Sequence, residues 1–277
     1  MSRGVKPPPD AQPLWLGLVM ENARFLECLA ADYERIRAVA PGNLDRLVPS
    51  CPEWTVADLV QHVGAVYLHK VATMRAGAIP SPWPPAGLND EEPVALLDRA
   101  YAELIEEFAR HAPEDFSPTW YDPEQTVGFW IRRMAQETVI HRLDAELAAD
   151  LPVAPIPDDL AIDGIDELLK IFVAYDAKKY PEDYAEVLSA SPGWSYTINS
   201  AGVEWLIGTS PGSFSVGGGP GMTVPDFSNT DVKISGTPTA VLRWAWNRET
   251  PGETSTVTIE GPADLTEFRR CVTIATQ

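Results

Sequence analysis

Four stretches in the first half of the chain repeat apolar residues every three or four positions, which is the spacing of an amphipathic α-helix. They cover approximately residues 14–39, 55–75, 90–111 and 127–149. The segments between them, such as "APGNL" and "AGAIPSPWPPAG", are rich in glycine and proline, which end helices. Four helices of this length joined by loops predict a helix bundle, in which side chains from facing helices meet.

The pattern changes after the proline-rich segment "LPVAPIPDD". One further helix is predicted at about 160–175, and the short segments that follow have the composition of strands: "WSYTINSAG", "EWLIGTS", "SFSVGGG" and "DVKISG". A helix at about 238–246, the strand "STVTIEG" and a last helix from about residue 262 complete the chain. We therefore expect a two-domain α+β protein with a Pro-rich tail at 1–13, the four-helix bundle at 14–152 and a smaller α+β domain at 153–277.

Charge narrows the range of partners. The chain of 277 residues has a net charge of −19 and a pI near 4.5. No basic stripe that could follow a phosphate backbone is evident in the sequence, so nucleic acid is not an expected partner. The same negative field would repel anionic membranes, and also small anionic substrates unless an arginine or a metal ion reverses it locally.

Cysteine content and hydropathy indicate in which cellular compartment the protein is expected. Three widely spaced cysteines without a CxxC pair suggest neither a disulfide framework nor a cysteine zinc site. The sequence shows no run of about 18 apolar residues and no signal-peptide pattern. We expect a cytoplasmic protein without a membrane segment.

The fourth predicted helix, which contains "RRMAQETVIHRLDAEL", carries Glu137 and His141 beside its apolar stripe. On a helix these positions are about 40° and about 6 Å apart, so the two side chains can converge on one point. Because burying an unpaired carboxylate is costly, Glu137 needs a partner. One interpretation is an ordinary ion pair with His141 on a solvated helix face, extended by Arg133. The other is a shared divalent cation.

A third metal ligand is suggested by His62, which interrupts the apolar stripe of the second helix. A bundle allows His62 to face the pair on the fourth helix, and two histidines with a glutamate form a set that binds catalytic zinc. His69 is about 10 Å further along the helix axis, so we expect it either to line the pocket and contact a cofactor or to lie on the surface. Asp58 is predicted to stabilise the start of the helix at Thr55, or alternatively to support a ligating histidine.

The segment "PTAVLRWAWNRETPG" places two arginines and two tryptophans at the end of a short helix. One interpretation is an aromatic core with cationic residues at the helix C-terminus. The other is that a guanidinium, such as that of Arg248, binds a substrate carboxylate.

Three segments resemble the signature sequences of the mycothiol-dependent maleylpyruvate isomerase family: "LVPSCPEWTVADLVQHVG", "ETVIHRLDAE" and "TPTAVLRWAWNR". The resemblance implies an N-terminal metal-binding bundle of the DinB type and a C-terminal α+β domain similar to sterol-carrier folds. It also implies that His62, Glu137 and His141 bind zinc and that Arg248 contacts the substrate or cofactor. Asn247 departs from the glycine that usually precedes this arginine in the family.

The activity implied by the resemblance is that of a zinc enzyme that uses mycothiol on a small, carboxylate-bearing substrate. The reaction would be a maleylpyruvate-like cis–trans isomerisation or the transfer of sulfur to an electrophile. Two alternatives remain open at this stage. One is a non-catalytic lipid-binding protein with a structural bundle, and the other is a zinc hydrolase that activates water.

Overall fold

The computed structural model describes residues 20–222, 229–262 and 265–276. Four long helices form the first half of the chain: α1 (Asn22–Val39), α2 (Val56–Ala76), α3 (Pro93–Phe108) and α4 (Val127–Ala148). Helix α1 packs against α4, and α2 packs against both α3 and α4. The predicted bundle is confirmed, while the predicted start of its first helix at residue 14 lies outside the described residues.

A short hairpin leads into α2 and consists of β1 (Leu47–Val48) and β2 (Cys51–Thr55), where the sequence had indicated only a turn. Thr55 is the N-cap of α2. Its hydroxyl accepts a hydrogen bond from the backbone N–H of Asp58, and the Asp58 carboxylate accepts one from the backbone N–H of Thr55. The capping interpretation of Asp58 is therefore confirmed. Gly77 ends the helix at a φ of 62°, in the left-handed region that glycine adopts without strain.

Helix α4 is the central helix of the bundle, and nearly all of its side chains are buried. Several of them are polar, so they require partners inside the protein. Arg142 donates to Asp32 of α1 and to Glu146 of its own helix, and both carboxylates are also shielded from water. The pair between Arg142 and Asp32 joins α1 to α4.

The second half of the chain forms a five-stranded sheet with the order β5–β4–β3–β6–β7. Its strands are β3 (Ser195–Ser200), β4 (Val203–Ser210), β5 (Ser213–Gly218), β6 (Val232–Ser235) and β7 (Thr258–Glu260). Only β3 and β6 pair in parallel among these strands. Alternating side chains of β3 and β4, including Ile198 and Trp205, are fully buried, as is Phe268 of the last helix. This alternation is the period of a sheet with one buried face.

The helices of the second half lie before the first strand, between β6 and β7, and after the last strand. They are α5 (Asp158–Glu167), a π-helical continuation (Leu168–Ala174), α6 (Tyr175–Lys179), α7 (Pro181–Leu188), α8 (Pro238–Ala245) and α9 (Thr266–Thr276). Helix α7 was not predicted from the sequence. The predicted α+β class is confirmed.

The chain divides into two compact units that are interleaved in sequence. The bundle unit comprises Glu21–Leu160 and Leu242–Thr256, and the sheet unit comprises the described residues of 161–241 and 257–277. The segment that carries Arg248 thus belongs to the bundle unit. The boundary predicted near residue 152 stays a prediction. None of the helices in the described part of the chain is long and apolar enough to span a bilayer.

Candidate metal centre

Two helices of the bundle unit bring three potential metal ligands together. His62 comes from α2, and Glu137 and His141 come from successive turns of α4. The Nε2 atoms of both histidines lie 3.2 Å from the same oxygen, Oε1 of Glu137. One ligand atom from each of the three residues falls within 4.8 Å of the other two. The structure therefore brings together the three residues that were predicted as ligands.

The burial of this cluster argues against a surface ion pair. The side chains of Glu137 and His141 are only 15% and 11% exposed. The His62 side chain is 36% exposed, and its ring lies 4.8 Å from that of Trp54 on β2. The cluster is therefore closed on the α4 side and accessible on the His62 side, as a site with an open coordination position requires.

The charge of Glu137 is stabilised from the side opposite the histidines. Its second oxygen, Oε2, accepts a short hydrogen bond from Arg133, one turn earlier on α4. Burial alone would raise the pKa of Glu137, but the charges of Arg133 and His141 and the hydrogen bonds from both histidines outweigh it and hold the pKa well below its usual range. The carboxylate is therefore ionised at neutral pH and available as a ligand.

Asp144 positions the imidazole of His141, and the sequence analysis did not identify it. Its carboxylate accepts from Nδ1 of His141 at 3.0 Å, from the Ser50 hydroxyl and from Arg248. Burial works against the charge of Asp144, yet these donors lower its pKa. Because Asp144 accepts the Nδ1 proton, Nε2 is the ring nitrogen that faces Glu137, and it would bind a metal ion after losing its own proton. The only sequence signal was its position three residues after His141.

Arg248 reaches this network from a turn after α8. Asn247 has a φ of 57°, which asparagine tolerates almost as glycine does, and the N–H of Arg248 donates to the carbonyl of Arg243. Asn247 therefore adopts a left-handed conformation that glycine would also allow. The Arg248 guanidinium donates to Asp144 at 3.0 Å and to the carbonyl of Trp246 at 2.7 Å. Arg243, in contrast, is bonded to the carbonyl of Arg248 and to Thr250, which makes it a structural residue of the turn.

His69 is not part of the three-residue cluster. Its ring stacks edge-on against Trp83, and its Nδ1 lies 3.2 Å from the ammonium group of Lys70. Burial and the positive charge of Lys70 lower the pKa of His69 to about 4, so the imidazole is neutral at physiological pH.

The donor set is suited to zinc. Two imidazole nitrogens and one carboxylate oxygen are among the ligand sets of catalytic zinc, with metal–ligand bonds of about 2.0–2.2 Å. Neighbouring ligands in a tetrahedral zinc site are consequently about 3.3 Å apart. The two distances of 3.2 Å to Glu137 Oε1 are close to this value, so the side chains could bind the ion with small adjustments.

Both halves of the chain match known domain families. Residues 26–146 match the "Mycothiol maleylpyruvate isomerase N-terminal domain", and residues 159–268 match the "MDMPI C-terminal domain". Among solved structures, a crystal structure described as the mycothiol-dependent maleylpyruvate isomerase is similar, with a TM-score of 0.57 and 14% sequence identity over 90% of this chain and 96% of that chain. At this identity the similarity establishes the fold. No curated protein matches the chain significantly.

Proposed function

The chain belongs to the mycothiol-dependent maleylpyruvate isomerase family, and on this premise we propose that it is a zinc enzyme that uses mycothiol to isomerise a small unsaturated keto acid. The observation that carries the proposal is the convergence of His62 and His141 on one oxygen of Glu137. These residues would hold the ion and leave a position for a water molecule or the thiol.

The bound group would supply one chemical capability. Zinc at this position would hold the mycothiol sulfur as a thiolate near neutral pH, the nucleophile needed for conjugate addition to a cis double bond. Addition followed by rotation and elimination gives the trans isomer, whereas a substrate with a leaving group would undergo S-transfer.

The residues around the proposed ligands orient the ligand side chains and the substrate. Asp144 holds His141 so that Nε2 faces Glu137, where the ion would bind, and Arg133 neutralises the oxygen of Glu137 that does not face the histidines. Arg248 is the residue of this site that we assign to substrate binding, because its guanidinium is already oriented by Asp144 and by the Trp246 carbonyl. A guanidinium so placed can bind a carboxylate or stabilise an enolate oxygen. His69 is assigned to the wall next to the cofactor position.

Metal analysis and thiol titration test the proposal. Purified protein should contain about one zinc per chain, and His62→Ala should lose it because one of three protein ligands is removed. His69→Ala is the matched control, since it removes a histidine from the same helix without touching Glu137.

The zinc-loaded protein should then bind mycothiol in a calorimetric titration and convert maleylpyruvate to fumarylpyruvate. A protein that binds zinc and mycothiol but does not isomerise maleylpyruvate would contradict the isomerase and favour an S-transferase. A protein that holds no metal after zinc loading, or whose His62→Ala variant keeps stoichiometric zinc, would disprove the site.

A further inference from the structure

Lys70 lies on α2 two turns beyond His62, and the function proposed above makes no use of it. Its ammonium nitrogen lies 4.5 Å from the centre of the buried Trp130 ring and 3.2 Å from Nδ1 of His69. The ring is aligned for a cation–π contact, and the neutral imidazole accepts a hydrogen bond. Both neighbours are uncharged.

Lys70 has no carboxylate partner among the described residues, since no salt bridge joins it to an acidic side chain within 4.0 Å. This is unusual for a chain with 40 acidic and 21 basic residues. The buried Arg133 and Arg142 and the partly buried Arg248, which belong to the same unit, each contact a carboxylate. A cation that is partly withdrawn from water and lacks a counter-ion is a receptor for an anion.

The helix geometry relates Lys70 to the metal centre. His62 contacts Glu137, whereas Lys70, further along α2, contacts Trp130, which is earlier on α4. The two helices therefore run antiparallel, and Trp130 lies about 10 Å from Glu137 along the axis of α4. Arg133 lies between these two levels but is bonded to Glu137. Lys70 is thus a cation at the far end of the same helix–helix seam that has no carboxylate partner among the described residues.

The lowered pKa of Lys70 also indicates an ammonium group without a counter-ion in the described part of the chain. Burial lowers the pKa of Lys70 to about 8, with Glu137 opposing the shift and Arg133 adding to it. The group is still protonated at neutral pH, although its charge is destabilised. An incoming carboxylate would relieve this destabilisation.

We propose that Lys70 binds a carboxylate of the substrate at the end remote from the metal centre, and so selects substrates with an anionic group about 10 Å from the ion. The inference rests on the proposed function for the identity of the reacting end. His69 is the positioning residue, because its Nδ1 holds the ammonium group beside Trp130.

Ligand binding tests this without requiring turnover. The zinc-loaded full chain is titrated calorimetrically with succinate, adipate and suberate, and with hexanoate as the control that carries one carboxylate. Adipate or suberate should bind more tightly than hexanoate, because its second carboxylate reaches Lys70. In Lys70→Met the affinity for the long dicarboxylates should fall by about tenfold or more, which corresponds to the loss of one charge-assisted hydrogen bond. Their binding should then resemble that of hexanoate. Lys70→Arg should retain most of it.

Lys178→Met is the matched control, because it makes the same chemical change at an exposed position. It should leave every affinity unchanged, and circular dichroism verifies that the variants are folded. Equal binding of the long dicarboxylates and hexanoate by the wild type, or unchanged dicarboxylate binding in Lys70→Met, would overturn the inference.

The test of Lys70 can succeed or fail independently of the test of the isomerase activity. Dicarboxylate binding that depends on Lys70 in a protein without isomerase activity would leave the inference standing and reject the isomerase. If isomerisation is observed, Lys70→Met should raise KM for maleylpyruvate with kcat nearly unchanged, because the contact is remote from the reacting atoms.

Discussion

At the scale of single residues, Asp144 connects the proposed ligand His141 to Ser50 and Arg248. It is fully buried and accepts from His141, Ser50 and Arg248. Asp144→Asn removes the charge that fixes the His141 tautomer, so zinc affinity should fall by about 10- to 100-fold. Competition with a chromogenic chelator measures this change.

Ser50→Ala is the control for this prediction, because it removes one donor to Asp144 but leaves the carboxylate on His141. Its zinc affinity should stay close to that of the wild type. Equal losses in the two variants would mean that general damage to the network, rather than the His141 contact, determines affinity.

Lys70 should decrease the stability of the fold that contains it. Its pKa is about 8 in the folded protein against an ordinary value of 10.5, mainly because of burial, with His69, Arg133 and Glu137 as its ionisable neighbours. A base whose pKa is lowered by folding destabilises the native state below the folded pKa, and this effect disappears as the pH rises towards the unfolded value.

Lys70→Met should therefore raise the free energy of unfolding by about 1–2 kcal/mol at pH 7, and the gain should shrink between about pH 8 and pH 10. Denaturant unfolding of the wild type and of Lys70→Met at each pH measures the difference in the free energy of unfolding. Effects that both proteins share, such as metal release, largely cancel in this difference. A variant that is less stable at pH 7 would show that the cation–π contact with Trp130 outweighs the burial of the charge.

At the scale of elements, the contact between α1 and α4 depends on a buried ion-pair network. Arg142 is 1% exposed and donates to Asp32 of α1 and to Glu146 of α4. Arg142→Met removes the cation from the Asp32 carboxylate and one of the two cations that contact Glu146, and should destabilise the protein by about 3–5 kcal/mol. Arg35 also contacts Glu146, but its side chain is 38% exposed, so Arg35→Met should cost about 1 kcal/mol or less.

Denaturant midpoints of these two variants test the network. Similar losses would mean that the exposed arginine contributes as much as the buried one. A small loss for Arg142→Met would mean that water enters and solvates Asp32 and Glu146.

The long elements could be predicted from sequence because their patterns are local. Helix α4 ends within one residue of its predicted end, and the cap of α2 follows from Thr55 and Asp58. The hairpin before α2 could not be predicted, since β1 has two residues and its partner contains Pro52. Its strands are held by contacts with the helices rather than by strand propensity.

At the scale of the whole molecule, the site combines a local and a non-local part. Glu137 and His141 are neighbours on one helix, so their convergence follows from the helical period. The contact between Asp144 and Arg248 joins residues 104 positions apart and requires the segment Leu242–Thr256 to return to the bundle unit. Such a return has no signature in periodicity, which is why Asp144 was missed and its contact with Arg248 was not predicted.

The net charge of −19 should make stability depend on salt. Like charges repel in the compact state, and salt screens them with a Debye length of about 10 Å at 0.1 M. Raising sodium chloride from low to physiological concentration at pH 7 should therefore increase the Tm by about 2–4 °C, equivalent to about 1 kcal/mol. Near pH 4.5, the sequence pI, the net repulsion vanishes, and the same salt change should leave the Tm unchanged or lower it.

Calorimetric scans at pH 7 and pH 4.5, each at low and physiological salt, test this salt dependence. A Tm that falls with salt at pH 7 would mean that screening of the surface ion pairs, such as Arg99 with Glu91 and Arg24 with Asp159, outweighs screening of the net repulsion.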